Sequence, residues 1–484
     1  MENLTTESRR SVAQLPACKS GVVATVTCIV KRISTTPTLV GLLALAIAVS
    51  SANAGEKTPI GAEQGGNKEG TIPAWTGDSK PMSGWSPGKV RFNYWKHKGE
   101  KPLYVIDASN VDKYAKNLTQ GQIQLLKTVK GYTMPVYPTH RECSFPDFVV
   151  SNTKQNASGK SKIGRDGWSL DAATLPGVPF PNPKSGVEAV WNYLVRYQGA
   201  GIDQFGTSYV SAAPGTKKDL RIKWEQVYYW PHGVKGTHNP KDRASAVQYL
   251  YYAFQSPAAL AGQAIVQRYF FDQDTESFYY FPGQRRVRRL PTYAYDAPMI
   301  GFENQYPVDM QALYFGNPDR FDWKIVGHKE IFIPYNNFKV TDFTYPIDKA
   351  MGPKFVNPEV RRYELHRVLE VVGTVKKGVR HSTPKKTLYL DEDTWIASVG
   401  DDYDANGKIW KVKENPIYPV WELGGTCSNL SMQNFYDLNS GRYLSDLVQF
   451  GSKKDYVYSK DASNDSRLKP DFFTSETLRA NSER

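Results

Sequence analysis

Between Ala244 and Leu290 the chain runs through strands with no clearly polar face. Val247–Phe254 consists of Val, Tyr, Leu, Ala and Phe with a single Gln, and Ile265–Phe271 is a second run of the same kind. Asp272-Gln273-Asp274-Thr275 interrupts, Phe278–Phe281 resumes, and Pro282-Gly283 leads into Gln284-Arg285-Arg286-Val287-Arg288-Arg289-Leu290. Short aromatic and β-branched runs punctuated by Asp, Gly and Pro predict antiparallel strands joined by tight turns. Side chains alternate between faces, so Val266, Arg268 and Phe270 share one face, and Ile265, Gln267, Tyr269 and Phe271 the other. A sheet of this kind must be covered on both sides or keep one side for a ligand.

The layout recurs at Lys386–Leu390, Asp391-Glu392-Asp393-Thr394 and Trp395–Val399, with Asp-x-Asp-Thr again at the turn. This is recurring hairpin chemistry and not a duplicated domain. Further strands are predicted at Leu220–Trp230, where Ile222, Trp224, Gln226, Tyr228 and Trp230 form an aromatic inner face. Others fall at Phe321–Tyr335, Asn337–Phe343, Tyr363–Val375 (with a polar side of Glu364, His366 and Glu370), Gly407–Lys413, Phe435–Leu438 and Arg442–Leu447. Asn439-Ser440-Gly441 reads as a hairpin turn. The total is about ten to twelve strands.

Helices concentrate before the strands. Asn110–Leu118, Thr119–Lys130 (capping box Thr119/Gln122), Phe148–Asn156 and Ser185–Tyr197 (capping box Ser185/Glu188) carry helical signals. In the last, Val187, Val190, Trp191, Leu194 and Val195 form a wide apolar stripe that should lie on a sheet. Thr474 caps a short C-terminal helix. The class is α+β: a large curved antiparallel sheet with helices packed against it and an N-terminal helical extension.

Five basic residues precede the apolar run Leu39–Val49, and Ala52-Asn53-Ala54 follows as a small-x-small cleavage site. Residues 1–54 therefore read as a signal peptide cleaved near Ala54, placing the mature protein in the periplasm. The run is too short to cross a bilayer, and no other segment could. Arg9-Arg10 leaves Sec and twin-arginine export both open. Removing residues 1–54 lowers the formal net charge from +13 to +10, a basic surface suited to anionic lipid, with nucleic acid set aside by export. Cys143 and Cys427 are the cysteines left, and an even pair in an exported chain is expected to form one disulfide. The alternative is a thiol nucleophile at Cys143 with His140 as its base.

The boundaries expected are an extended, partly mobile arm at 55–100, a helical part at 101–200, the sheet at 201–450, and a tail with a short helix at 451–484. Trp75 in the arm should dock somewhere.

Candidate chemistry is sparse. Asp402-Tyr403-Asp404-Ala405-Asn406-Gly407 opens like a calcium loop, but Lys413 stands where the bidentate Glu belongs, and a hairpin turn explains it better. His232 and His238 lie in a Gly/Pro loop without metal-ligand spacing and read as solvated. Asp272/Asp274 and Asp391/Asp393 could be paired acids, but carboxylates beside Thr at turns form Asx-turns. No nucleophile elbow, phosphate loop or dinucleotide fingerprint occurs, so neither an enzyme nor a cofactor is expected. The run Arg285–Arg289 is either a solvated sheet edge or an anion or lipid-headgroup contact. Alternation puts Arg286 and Arg288 on one face.

Phe278-Tyr279-Tyr280-Phe281-Pro282-Gly283 leading into the arginines resembles a strand pair of the LolA/LolB-like lipoprotein carriers. Leu388–Asp391, Thr394-Trp395 and Tyr403–Gly407 resemble the meander that follows it there. More specifically, Gly70–Trp75, Thr139–Cys143, Gly177–Tyr197, Phe321–Asn337, Tyr363–Arg367 and Asp437–Tyr443 resemble the bacterial family called domain of unknown function 1329. The resemblance implies a half-open barrel with helices on its concave side and a hydrophobic small molecule or lipid as cargo. It further implies work beside an outer-membrane protein or a transporter of the resistance-nodulation-division (RND) type. The N-terminal helical part and long inserts exceed a simple carrier.

Lining for such a cargo would come from Trp191, Trp224, Tyr228, Tyr249, Tyr251 and Tyr280, with Arg286 and Arg288 at a headgroup. Against the carrier stand a ligand-free structural or assembly subunit, whose sheet face is simply a filled core, and a periplasmic hydrolase.

Overall fold

The computed structural model describes residues 55–242, 246–463 and 465–483; the expected signal peptide lies outside them. Sixteen strands among these residues form one sheet, more than the sequence suggests because short strands are added at its margins. In chain order they are β1 (Tyr104–Ile106), β2 (Met134–Val136), β3 (Gly201–Val210), β4 (Leu220–Tyr229), β5 (Ala246–Ser256), β6 (Ala264–Phe270), β7 (Glu276–Phe281) and β8 (Arg286–Arg289). After a long connection come β9 (Phe321–Pro334), β10 (Tyr363–Val375), β11 (Lys385–Asp391), β12 (Ala397–Tyr403), β13 (Ile409–Glu414), β14 (Gln433–Asp437), β15 (Arg442–Val448) and β16 (Val457–Ser459). Helices of eight residues or more are α1 (Gln120–Thr128), α2 (Asp147–Gln155), α3 (Gly186–Leu194) and α4 (Ser475–Ser482).

Strands β3 to β8 form one antiparallel meander and β9 to β15 another. They join where β15 pairs with β3, Leu444 opposite Val210, and β16 extends the same edge of β3 at Asp203. The exception to antiparallel pairing is Val136 of β2 beside Tyr363 of β10. Strands from the expected helical part and from the tail thus belong to the same sheet.

Local rules place the helices. Thr119 accepts from the Gln122 amide while the Gln122 side chain accepts from the Thr119 amide, closing the capping box of α1. Ser185 caps α3, but Glu188 accepts from the Lys184 amide instead of completing the box. Thr474 caps α4. Asn337–Phe343 is not extended: Phe338–Thr341 is a 3-10 turn, closed by the Thr341 hydroxyl donating to the Phe338 carbonyl. The polar side of β10 is buried too, since Glu364 and His366 face Arg362 and Tyr335 and not solvent.

Both faces of the central strands are covered by the chain itself. Trp224, Tyr228, Leu250, Tyr252, Ile265 and Tyr269 enter the main core. On the other face Tyr229, Tyr249, Tyr251, Val266, Phe270 and Tyr280 lie under Leu468, Phe472, Phe473 and Leu478 of the tail. Arg268 clamps that cover, its Nε donating to the Phe473 carbonyl at 2.7 Å.

The arm at 55–100 is anchored. The Trp75 indole donates to the Cys143 carbonyl, and the Trp395 indole to the Ile60 carbonyl. Arg141 grips the carbonyls of Glu63, Gln64, Gly65 and Pro73. Apart from the Trp75 indole, the arm makes these contacts through backbone carbonyls, which its polar, Gly-rich composition does not announce.

Candidate functional site

The inner face of the sheet carries charge. Lys386 on β11 and Lys411 and Lys413 on β13 are all buried. Each finds its partners in the connection between β8 and β9, residues 290–320. Lys386 Nζ donates to Asp309 (2.9 Å), Lys411 Nζ to the Gln305 carbonyl (2.8 Å) and Lys413 Nζ to the Leu313 carbonyl (2.8 Å). His381 Nε2 also lies 2.9 Å from Asp309. Burial alone would raise the Asp309 carboxyl, but Lys386 and His381 outweigh it and hold the group below the ordinary carboxylate range. Lys413 makes a second pair, with Asp402 at 2.6 Å, so the first and twelfth residues of the apparent calcium loop neutralise each other.

The same connection is anchored along nearly the whole sheet. Phe315 stacks edge-on with Tyr269 of β6, Tyr306 lies 5.1 Å from Phe435 of β14, and the Ala312 amide donates to Gln433. The Tyr193 hydroxyl of α3 donates to the Ala312 carbonyl. Ala312 and Leu313 adopt left-handed backbone (φ 48° and 73°), a strained turn that points the Leu313 carbonyl at Lys413. The connection is therefore a plug, held by ion pairs and hydrogen bonds as well as by apolar packing. The void that Tyr228 lines measures about 20 Å³ and is ringed by Arg196, Gln198, Gln248, Gln433 and Asp446. A void of that size holds about one water.

The larger openings lie at the surface. One of about 440 Å³ is walled by Pro146, Phe148, Tyr197, Val234, Leu423 and Gly424, with Lys235, Lys460 and Asp461 at its polar side. Phe148 and Tyr197 meet edge to face at 5.5 Å. The disulfide between Cys143 and Cys427 holds two of its walls together, because Pro146 and Gly424 each stand three residues from a bridged cysteine. Ser144 adds two bonds, its amide to the Gly425 carbonyl and its hydroxyl to the Gly424 carbonyl. The paired cysteines remove Cys143 as a nucleophile, and His140 instead contacts Glu100 at 2.7 Å.

The sequence profile of a protein family of unknown function, DUF1329, matches residues 105–479. This chain belongs to the DUF1329 family. A relative in Pseudomonas aeruginosa, itself uncharacterized, is 35% identical over 410 residues, 84% of this chain and 88% of the relative. Among solved structures the DUF1329 chain is similar to a putative outer membrane lipoprotein-sorting protein domain from Vibrio parahaemolyticus (12% identity, 61% of this chain and 98% of that one, TM-score 0.40). It is also similar to a DUF1329 family protein from Desulfovibrio piger (13% identity, 57% and 92%, TM-score 0.37) and to a LolA superfamily protein from Nitrosomonas europaea (12% identity, 60% and 98%, TM-score 0.35).

The residues singled out as lining are scattered through this DUF1329 fold. Trp191 stacks on Phe271 and donates to the Trp168 carbonyl. Trp224 donates to the Ser208 hydroxyl, and Tyr228 stacks on Trp230. Tyr249, Tyr251 and Tyr280 are on the opposite face, under the tail. The six therefore divide between two separate apolar clusters, three in each, and each is packed by its own chain. Arg286 lines an open cleft with α4, whereas Arg288 bonds Gln284 and lies over Phe281.

Two clusters form that linear spacing does not reveal: His97, Glu100 and His140, and His366, Asp391 and Asp393. In the first, the imidazoles stack at 3.7 Å with planes 12° apart, so their lone pairs cannot converge on one ion, and Arg362 already holds Glu100. In the second, Arg141 takes both oxygens of Asp393 at 2.7 Å. Burial, then the Asp393 charge, push the Asp391 carboxyl well above the ordinary range. His232 is buried in place of solvated, and burial, with His238 adding, lowers it to about 3.

Proposed function

We propose that this protein is a non-enzymatic accessory protein of the bacterial envelope that holds an amphipathic molecule at its surface and not inside its sheet. The observation that carries the reading is the contrast between the plugged interior and the open pocket beside the disulfide. If the plug left, Lys386 and Lys411 would lose the partners they have there and face an acyl chain as stranded ammonium groups, at several kcal/mol for each stranded charge, while Lys413 would keep Asp402. This supports reading the inner face of the sheet as a packed core and not as a cargo hold. The surface pocket, about 440 Å³ with apolar walls and two lysines, falls in the size range of small-molecule sites, roughly 300–1,000 Å³. The disulfide supports an oxidising compartment such as the periplasm. Family resemblance alone supports work beside an RND-type transporter or an outer-membrane protein.

The test is organic extraction of protein purified from the periplasm, with uptake of a fluorescent fatty acid by wild type and by Phe148→Asp. A co-purified amphiphile, and uptake that Phe148→Asp abolishes, are expected. Protein that is empty and takes up no probe would instead support the second reading, a ligand-free assembly subunit, which the filled interior already favours.

A further inference from the structure

The arginine run finds a second wall in the folded chain. Strand β8 pairs with β7 alone, Val287 opposite Tyr280 and Arg289 opposite Phe278, and so ends the sheet. Val287 packs into the cluster that the tail covers. Helix α4 crosses here with Leu478 buried beneath it, which brings Arg479 opposite the strand. Between them opens a cleft of about 630 Å³, lined by Arg285, Arg286, Arg289 and Arg479, with Phe278 and Val287 as its apolar floor and Glu476 and Glu483 at the helix side. Arg289 pairs with Glu276 at 3.1 Å, and Arg479 lies 3.5 Å from Glu483. Arg285 and Arg286 are exposed and have no ion pair among the described residues. Four guanidinium groups thus meet three carboxylates, Glu276, Glu476 and Glu483.

We infer that this cleft docks the protein on an anionic phospholipid surface, its arginines binding lipid phosphates. The planar guanidinium fork matches phosphate oxygens in a way that ammonium does not. The apolar floor suits the glycerol and upper acyl segments behind a headgroup phosphate. A charged edge that only prevents strand pairing needs no second wall, and here a helix already flanks β8 and supplies a fourth arginine. The inference is independent of the pocket beside the disulfide, since the two openings share no residue.

The test uses the mature protein with vesicles of phosphatidylglycerol mixed into phosphatidylcholine, against phosphatidylcholine alone, by co-sedimentation. Binding is expected on the anionic vesicles only and should weaken as salt is raised. Each cleft arginine is worth about fivefold near an anionic surface, so Arg285→Ala/Arg286→Ala should weaken binding about 25-fold. Lys217→Ala, an exposed change elsewhere, should leave it alone. Equal binding to both vesicle types, an unaffected double variant, tight calorimetric binding of inorganic phosphate alone, or equal affinity for duplex DNA would each overturn the inference.

Discussion

Arg141 is the residue whose loss should be felt most. Its guanidinium makes two bonds to the buried Asp393 and four to carbonyls of the arm. Arg141→Met keeps most of the aliphatic stem and removes the charge. Asp393 would then be a buried carboxylate without the guanidinium that pairs with it, beside the buried Asp391. Breaking a buried ion pair from one side costs about 3–5 kcal/mol. The four carbonyls add less, because water can reach them once the arm lifts. The expected result is a fall of about 3–5 kcal/mol in urea denaturation, with fast amide exchange confined at first to residues 63–73. Adding Asp393→Leu removes the stranded charge and should recover most of the loss, a positive coupling in the double-mutant cycle. A single variant that loses under about 1 kcal/mol, with the arm amides still protected, would refute the clamp.

Three further outcomes follow from buried groups. Burial raises the Asp401 carboxyl to about 7, against the opposing pull of the Gly121 amide and the Thr119 hydroxyl. A raised folded-state value means stability falls as pH climbs from about 4 to about 7, by up to about 4 kcal/mol. Asp401→Asn should flatten that slope in denaturation measured across the window, and an unchanged slope would assign it elsewhere. Gly121 lies so close that a Cβ would sit 2.1 Å from Asp401 Oδ1 and 2.9 Å from Val412 Cγ2. Gly121→Ala should therefore lower the melting temperature, with about 1–3 kcal/mol of overpacking exceeding the ~1 kcal/mol gain in helix propensity. Cys143 and Cys427 close a loop 284 residues long. Cys143→Ser/Cys427→Ser should cost up to about 5 kcal/mol by the chain-entropy argument and weaken fatty-acid uptake at the neighbouring pocket.

Period-two patterning showed where the strands lie because it survives in any half-buried sheet: the aromatic face Ile222, Trp224, Gln226, Tyr228 and Trp230 is buried as the alternation requires. Caps were legible for a similar reason, since Thr119 and Thr474 act within one turn. The plug was not. Residues 290–320 have no period, and their fit depends on lysines and carbonyls brought together from strands more than a hundred positions away in some cases, such as Lys411 and Gln305, 106 apart. Nor could alternation say what covers each face. Tyr249 and Trp224 look equivalent in sequence, but one lies under the tail and the other in the main core. A usable signal was the tail itself, where Phe472-Phe473 and Leu478 are apolar residues in polar surroundings. The surface pocket combines five separate stretches of chain, and nothing local marks any of them as belonging together.

Strand β3 is synthesised early and its neighbour β15 late; Ser208 and Asp446, which share a hydrogen bond across that join, are 238 residues apart. Translation at about 5–20 residues per second spends roughly 10–50 s on the interval. For all of that time the nascent chain offers an open, aromatic strand edge of the kind that recruits other chains. Half of the sheet lacks its partner until the rest arrives. A chain stopped just before Arg442 would lack the strand that pairs with Val210 and keep that edge of β3 open.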